Sequence, residues 1–218
     1  MKVIGLTGGI ATGKSLAASL LRERFGVKVI DADQAAREVA APGGPVFDAI
    51  VGYFGKSVLD ARGQIDRSAL RQRISNSVED RRALEAITHP AIRLRIAECL
   101  EACRRSGDAV VVVEAALMVE TGSYLGYDAL WVVTCEPTTQ WSRLLARDGR
   151  SEAESRALVS AQLPLIEKER VADHVIRNDL DEEALWVELQ RAWHASDLPP
   201  EGFTPASNCG AYRGNPSA

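Results

Sequence analysis

Eight residues near the start of the chain, Gly8-Gly-Ile-Ala-Thr-Gly-Lys-Ser15, fit the pattern G-x-x-x-x-G-K-[ST]. The spacing suits a nucleoside triphosphate. Gly8 and Gly13 allow backbone conformations and close approaches that a Cβ would block. The loop amides, across Gly8, Gly9, Ile10, Ala11, Thr12, Gly13, Lys14, Ser15 and Leu16, then converge on the phosphates of a nucleoside triphosphate at the positive end of the following helix. Lys14 sets a point charge against the β- and γ-phosphates, and Ser15 offers its hydroxyl to Mg²⁺. As an exposed lysine, Lys14 is expected to add little to the fold.

Such a loop indicates a nucleoside triphosphate but not the reaction. A guanine-nucleotide switch would also need an N-K-x-D segment, which the chain lacks. Asp60-Ala-Arg-Gly63 matches D-x-x-G, but no apolar strand precedes it, and it reads as a turn. A kinase needs a carboxylate beside the acceptor hydroxyl and cations over the moving phosphoryl group. Asp31 and Asp33 follow an apolar run, at the edge where ligands bind in open α/β sheets. Asp31 reads as a helix cap or support, and Asp33 as the base. Arg143 and Arg147 are four apart and share a helix face, with Arg150 and Arg156 close behind. Surface ion pairing is a common fate for such arginines. Their place inside a helical insertion, just after a strand, suits a lid. Residues 62–73 carry Arg62, Arg67, Arg71 and Arg73 against one carboxylate, Asp66. That excess fits an anionic acceptor, and equally a solvated helix.

Five short apolar runs must position these groups: Val3–Leu6, Val27–Ile30, Val110–Val113, Leu130–Thr134 and His174–Ile176. They are nearly continuous in apolar residues, which predicts strands buried on both faces of a parallel sheet. Helical patterns lie between them at Lys14–Phe25, Pro90–Arg105, Thr138–Arg147 and Asp181–Ala195. Pro90 suits a first helical position, and Ser151 with Glu154 forms a capping box. The alternation predicts an α/β fold with right-handed crossovers. Residues 35–90 hold no convincing strand, so a helical lobe interrupts the sheet, and residues 138–172 do so on a smaller scale. From Leu198 onward the chain is rich in Pro, Gly, Ser and Asn and reads as a loose tail.

The 218 residues, 46% hydrophobic and 26% charged, suit one large globular unit or one with inserted lobes. The net charge of −4 argues against a general nucleic-acid binder but leaves room for a small anionic ligand. The uncharged run Val3–Gly13 holds four glycines and is far short of the ~20 apolar residues of a membrane span. Cys99, Cys103, Cys135 and Cys209 form no Cys-x-x-Cys pair, and the three histidines lie far apart, so no zinc spacing exists. Reduced cytoplasmic thiols are the expectation.

Taken together the residues resemble the dephospho-coenzyme A kinase family, from Met1 to about Trp193. The resemblance rests on Ile4-Gly-Leu-Thr-Gly-Gly-Ile-Ala-Thr-Gly-Lys-Ser15, Asp31-Ala-Asp33, Phe54-Gly55, Arg62-Gly63 with Asp66-Arg67 and Leu70, and Leu84-Glu-Ala-Ile-Thr-His-Pro90. Arg143, Arg147-Asp148, Gln162, Ala172-Asp173 and Asn178 follow in the family's order. The family implies transfer of the ATP γ-phosphoryl to the ribose 3′-hydroxyl of 3′-dephospho-coenzyme A, the last step of coenzyme A synthesis. It implies ATP and Mg²⁺, small-molecule substrates, no nucleic acid or membrane partner, and a cytoplasmic monomer or small homo-oligomer.

For the fold it implies a P-loop kinase-like parallel five-stranded sheet with helices on both faces. The core would comprise residues 1–34, 106–137 and 173–197, the acceptor lobe 35–105, the lid 138–172 and the tail 198–218. Asp33, Lys14, Arg143 and Arg147 would be catalytic, Asn178 would lie near the adenine, and Arg67 and His89 would meet the acceptor with Asp33. Three features depart from the family pattern. Ala11 and Thr12 stand where the loop usually has Gly and Ser, which requires Ala11 to avoid conformations open to glycine alone; Leu16 replaces a common Thr. Glu114 and Ala116 stand in place of the Asp and Pro of a D-x-P-L-L-x-E segment. A nucleoside or nucleotide kinase, or a weakly active nucleotide-binding protein, would share the scaffold. Acceptor screening and ADP release separate these readings.

Overall fold

The computed structural model describes residues 1–148 and 151–199, without the side chains of residues 147 and 148. Five strands, β1 (Lys2–Gly8), β2 (Lys28–Asp31), β3 (Val110–Glu114), β4 (Ala129–Thr134) and β5 (His174–Arg177), form one sheet in the order β2-β3-β1-β4-β5. Every pair is parallel. β1 therefore lies at the centre, flanked by β3 and β4, and its C-terminal end opens into the crevice that such a strand order creates.

The period-2 alternation of the strands divides their side chains between two cores. On one face Ile4, Leu6, Val112, Trp131 and Val133 pack against α1 (Lys14–Arg24) and α9 (Glu182–Ala195). On the other, Val3, Val113, Leu130 and Val132 meet Met118 and the helical residues Ile96 and Leu100. β1, β3 and β4 are buried nearly throughout, as their apolar runs predict. β2 and β5 are edge strands and only partly covered, which their apolar runs do not betray.

Between β2 and β3 lie α2 (Ala32–Val39), α3 (Pro45–Phe54), α4 (Arg67–Asn76) and α5 (Val78–Arg105). Val46, Ile50, Phe54, Val58 and Leu70 form a separate core there. The Asp60–Gly63 segment is the turn its sequence suggests: the Gly63 amide donates to the Asp60 carbonyl at 3.0 Å. The expectation at Pro90 is corrected. Pro90 does not open a helix but lies inside α5, whose N-cap is Ser77. A proline lacks the N–H that would bond to residue 86, but tertiary packing along both ends of α5 carries the helix through.

Between β4 and β5 come α6 (Pro137–Asp148), α7 (Glu152–Ser160), opened by the Ser151–Glu154 capping box, and α8 (Leu165–Arg170). At the C-terminal end Leu198 packs on the core and the Pro199 carbonyl accepts a 2.6 Å bond from the Trp193 indole. The first two residues assigned to the tail are thus part of the fold; the rest of it, 200–218, lies outside the described residues.

Candidate active site

β1 runs straight into the glycine-rich loop, and α1 begins at Lys14. Close packing dictates two of its glycines. A Cβ on Gly8 would lie 2.5 Å from the Val133 carbonyl oxygen of β4, and one on Gly13 (φ +91°) would collide with the Asn178 carboxamide. The loop is tied on three sides. Asn178 Nδ2 donates to the Thr12 carbonyl (2.8 Å), Gln140 Nε2 to the Ile10 carbonyl (2.8 Å), and the Ile10 amide to Gln162 Oε1 (2.7 Å). Ala11 adopts φ +61°. This left-handed region is not closed to alanine, but a Cβ makes it costly.

At the end of β3, Glu114 is 7% exposed. Its Oε1 accepts from Lys14 Nζ at 2.5 Å and from Ser15 Oγ at 3.3 Å. The extra methylene relative to aspartate thus brings the carboxylate to both functional groups of the loop. Lys14 itself keeps only 12% of its side-chain surface, which corrects the expectation that it adds little to the fold. The chain after β3 is fixed without a proline: the Ala116 carbonyl accepts from Lys168 Nζ (2.8 Å) and Thr7 Oγ1 (3.3 Å).

Asp31 ends β2 and caps α2, its Oδ1 accepting from the Asp33 and Gln34 amides at 2.8 and 3.0 Å. That cap fixes the first turn and with it Asp33, which is exposed and lines the cavity above the loop. Arg143, on α6, donates to the carbonyls of Asn178 (2.7 Å) and Leu180 (3.5 Å). Burial pushes the Cys135 thiol beside it up, and the Arg143 guanidinium acts in the opposite direction.

These elements enclose a cavity of about 630 Å³. Of the residues singled out from sequence, Gly9, Ile10, Ala11, Gly13, Lys14, Ser15, Asp33 and Arg143 line it. Gly8, Thr12 and Asn178 stand behind the lining: Thr12 is fully buried, and the Asn178 side chain, 3% exposed, is spent on the loop backbone. Leu16 is 38% exposed outside the lining. Arg67 (on α4) and His89 (inside α5) do not line the cavity either. The side chain of Arg147 and all of Arg150 lie outside the described residues. Gln162 lines the cavity too, as does Arg71, which the sequence groups with Arg62, Arg67 and Arg73 without separating it from them; sequence reasoning missed Gln140 as a loop tether. Gln140 had a signal, standing three residues before Arg143 on one helix face.

The donors suit Mg²⁺. Among the described residues no three His, Cys, Asp or Glu side chains gather to hold a metal. Mg²⁺ needs no such cage, because it is commonly held by one or two protein oxygens together with substrate phosphates and water. Ser15 Oγ, with the Glu114 carboxylate next to it, is a hard oxygen set of that kind.

A parallel sheet with a glycine-rich loop leading from its central strand into a helix, and a carboxylate across the cavity from that loop, defines a P-loop kinase. The Dephospho-CoA kinase family model matches residues 2–183, and the chain belongs to that family. It is 42% identical over 214 residues to a dephospho-CoA kinase of Symbiobacterium thermophilum, covering 98% of this chain and 89% of the relative. Among solved structures, TT1252 from Thermus thermophilus superposes with a TM-score of 0.78 at 30% identity, over 89% of this chain and 97% of that one. Dephospho-CoA kinase from Campylobacter jejuni gives 0.65 at 28% identity, over 89% and 96%.

Proposed function

We propose that the chain transfers the γ-phosphoryl group of ATP to the ribose 3′-hydroxyl of 3′-dephospho-coenzyme A, giving coenzyme A and ADP. Membership of the family supports the reaction. The observation that carries the assignment of roles is that Lys14, Ser15 and Asp33 line one cavity. The loop amides and Lys14 hold the β- and γ-phosphates; Ser15, with Glu114 beside it, would hold Mg²⁺, which neutralises phosphate charge when bound. Asp33 accepts the proton of the 3′-hydroxyl as its oxygen attacks phosphorus and the bond to the β,γ-bridging oxygen breaks. Arg143 and Arg147 stabilise the charge that develops on the transferred group.

In this reading residues 1–34, 106–137 and 173–197 form the nucleotide core. Residues 35–105 form the acceptor lobe, on which Arg67 and His89 meet parts of the acceptor outside the described cavity, and residues 138–172 form the lid. Asn178 serves ATP by bracing the loop. The enzyme works in the cytoplasm as a monomer or small homo-oligomer, without nucleic-acid or membrane partners. Among the described residues no helix is long and apolar enough to cross a membrane.

A coupled ADP assay with an acceptor panel tests the reaction. Dephospho-coenzyme A should give rapid ADP release and a product heavier by one phosphoryl group on the ribose, with CMP, dTMP and AMP giving far less. A nucleoside monophosphate with the higher kcat/KM would overturn the acceptor assignment and leave the kinase.

A further inference from the structure

The four arginines of residues 62–73 are not equivalent. Arg73 Nε lies 2.6 Å from Asp80 Oδ2, so its charge is compensated inside the lobe. Arg62 sits in the tight turn, where its amide donates to Asp60 Oδ1 at 2.8 Å. Arg67, the first residue of α4, is outside the cavity lining. Arg71, one helical turn later, lines the cavity together with Lys14, Asp33 and Arg143. Its placement follows from the helix. Leu70 and Ile74 turn into the lobe's apolar core, so Arg71, about 100° around from Leu70, faces another way.

The other cations of the cavity are engaged. Lys14 is paired with Glu114, and Arg143 donates to two backbone carbonyls. Arg71 makes no hydrogen bond or ion pair among the described residues. It is an uncommitted guanidinium on the acceptor lobe, in the same cavity as the carboxylate that would take the acceptor's proton. Dephospho-coenzyme A carries its reacting 3′-hydroxyl and its 5′-diphosphate on one ribose. Holding the hydroxyl at Asp33 keeps the diphosphate within a few bonds of that point. A planar guanidinium matches two phosphate oxygens at once.

On the reading of the acceptor given above, we infer that Arg71 is a specificity-determining residue, which binds the 5′-diphosphate of the acceptor. The test is steady-state kinetics of the full chain with Arg71→Ala, Arg71→Lys and Arg62→Ala. In Arg71→Ala the KM for dephospho-coenzyme A should rise roughly 10–100-fold, the worth of a charge-assisted hydrogen bond. The KM for ATP should stay within about twofold, and the unfolding midpoint should not move, because no partner is lost. The preference for dephospho-coenzyme A over adenosine, which lacks the diphosphate, should shrink by the same factor as the KM rises. Arg71→Lys should recover part of the loss, since it keeps the charge but not the fork. Arg62→Ala, in the exposed turn and outside the cavity lining, should change the acceptor KM much less. An unchanged acceptor KM, an equal rise in the ATP KM, or an equal loss with adenosine overturns the inference. A wild-type enzyme inactive on dephospho-coenzyme A would instead refute the acceptor reading itself, and this is seen before any variant is made.

Discussion

Lys14 Nζ lies 2.5 Å from Glu114 Oε1, and both side chains are largely buried, at 12% and 9% exposure. The cation proposed to hold phosphate is therefore also the counter-charge of a buried carboxylate. Lys14→Ala should lower kcat on the order of 10³-fold or more, in the range of charge stabilisers in phosphoryl transfer. It should also destabilise the nucleotide-free protein, toward the lower end of the about 3–5 kcal/mol seen when one partner of a buried pair is removed. Adding Glu114→Gln should restore most of the stability and none of the rate. An unfolding midpoint unchanged by Lys14→Ala would show that the pair does not form without nucleotide.

Asp31 and Asp33 separate by position, and the proposed roles follow that separation. Asp31 accepts two amide bonds at the start of α2, whereas Asp33 is exposed toward the cavity. Asp33→Asn should cut kcat roughly 10²–10⁴-fold with little change in ATP binding, the usual loss of a general base. Asp31→Ala should cost about 1 kcal/mol as a lost cap. Asp31→Asn should largely keep the cap and the activity. If Asp31→Asn proves the more damaging change in kcat, the two roles are reversed.

Much of this site was legible in sequence because a phosphate loop is a local object. Gly8 to Ser15 are contiguous, and the apolar run before them and helix after them are too. Asp31 was legible for the same reason, as strand end and cap, and Asp33 follows it in the first turn of α2. What was hidden depends on contacts across the chain. Glu114 is a hundred residues from Lys14, and only the register of β1 against β3 brings their elements together. The separation of Arg71 from Arg67 depends on how α4 sits over the lobe core, which an arginine-rich stretch does not encode. Pro90 misled because propensity places proline at helix starts, and packing on both sides of it overrides that preference.

Lys168 has no exposed surface; its Nζ donates to the Ala116 carbonyl at 2.8 Å and pairs with Glu120 Oε1 at 2.7 Å. Glu120 Oε1 also accepts from the Leu163 amide at 3.0 Å, but Oε2 is buried without a partner among the described residues, so Lys168 is the carboxylate's charge partner there. Lys168→Met should destabilise by about 3–5 kcal/mol, the cost of leaving a buried charge unpaired. Glu120→Gln combined with Lys168→Met should be less damaging than Lys168→Met alone. Chemical denaturation of the single and double variants measures the coupling, and additive losses would refute it.

Cys103 and Cys135 are 6% and 4% exposed, and burial pushes both thiols up. A raised thiol holds less thiolate at neutral pH, and the thiolate is the reactive form. Alkylation of both should therefore be slow in the native enzyme near pH 7, speed up as pH rises, and become rapid on unfolding. Mass-spectrometric mapping of iodoacetamide adducts over time reads each site separately. Fast labelling of Cys135 at pH 7 would contradict its burial beside Arg143.

Ala11 is the one loop residue whose side chain works against its backbone. Its φ of +61° costs an L-residue about 1–2 kcal/mol relative to glycine, which enters that region freely. Glycine loses about 0.4–1 kcal/mol of that advantage through its greater freedom in the unfolded chain. Ala11→Gly should therefore stabilise the protein by about 0.5–1 kcal/mol, a rise of roughly 1–4 °C in the unfolding midpoint for a chain of this size. The neighbouring Ile10 amide is held by Gln162 and its carbonyl by Gln140, so the loop path should survive the change and the KM for ATP should stay within about twofold. Ala11→Val should do the opposite, because a β-branched residue fits a positive φ worse than alanine does. A lower midpoint for Ala11→Gly would mean that the alanine methyl contributes more through packing than its backbone strain costs.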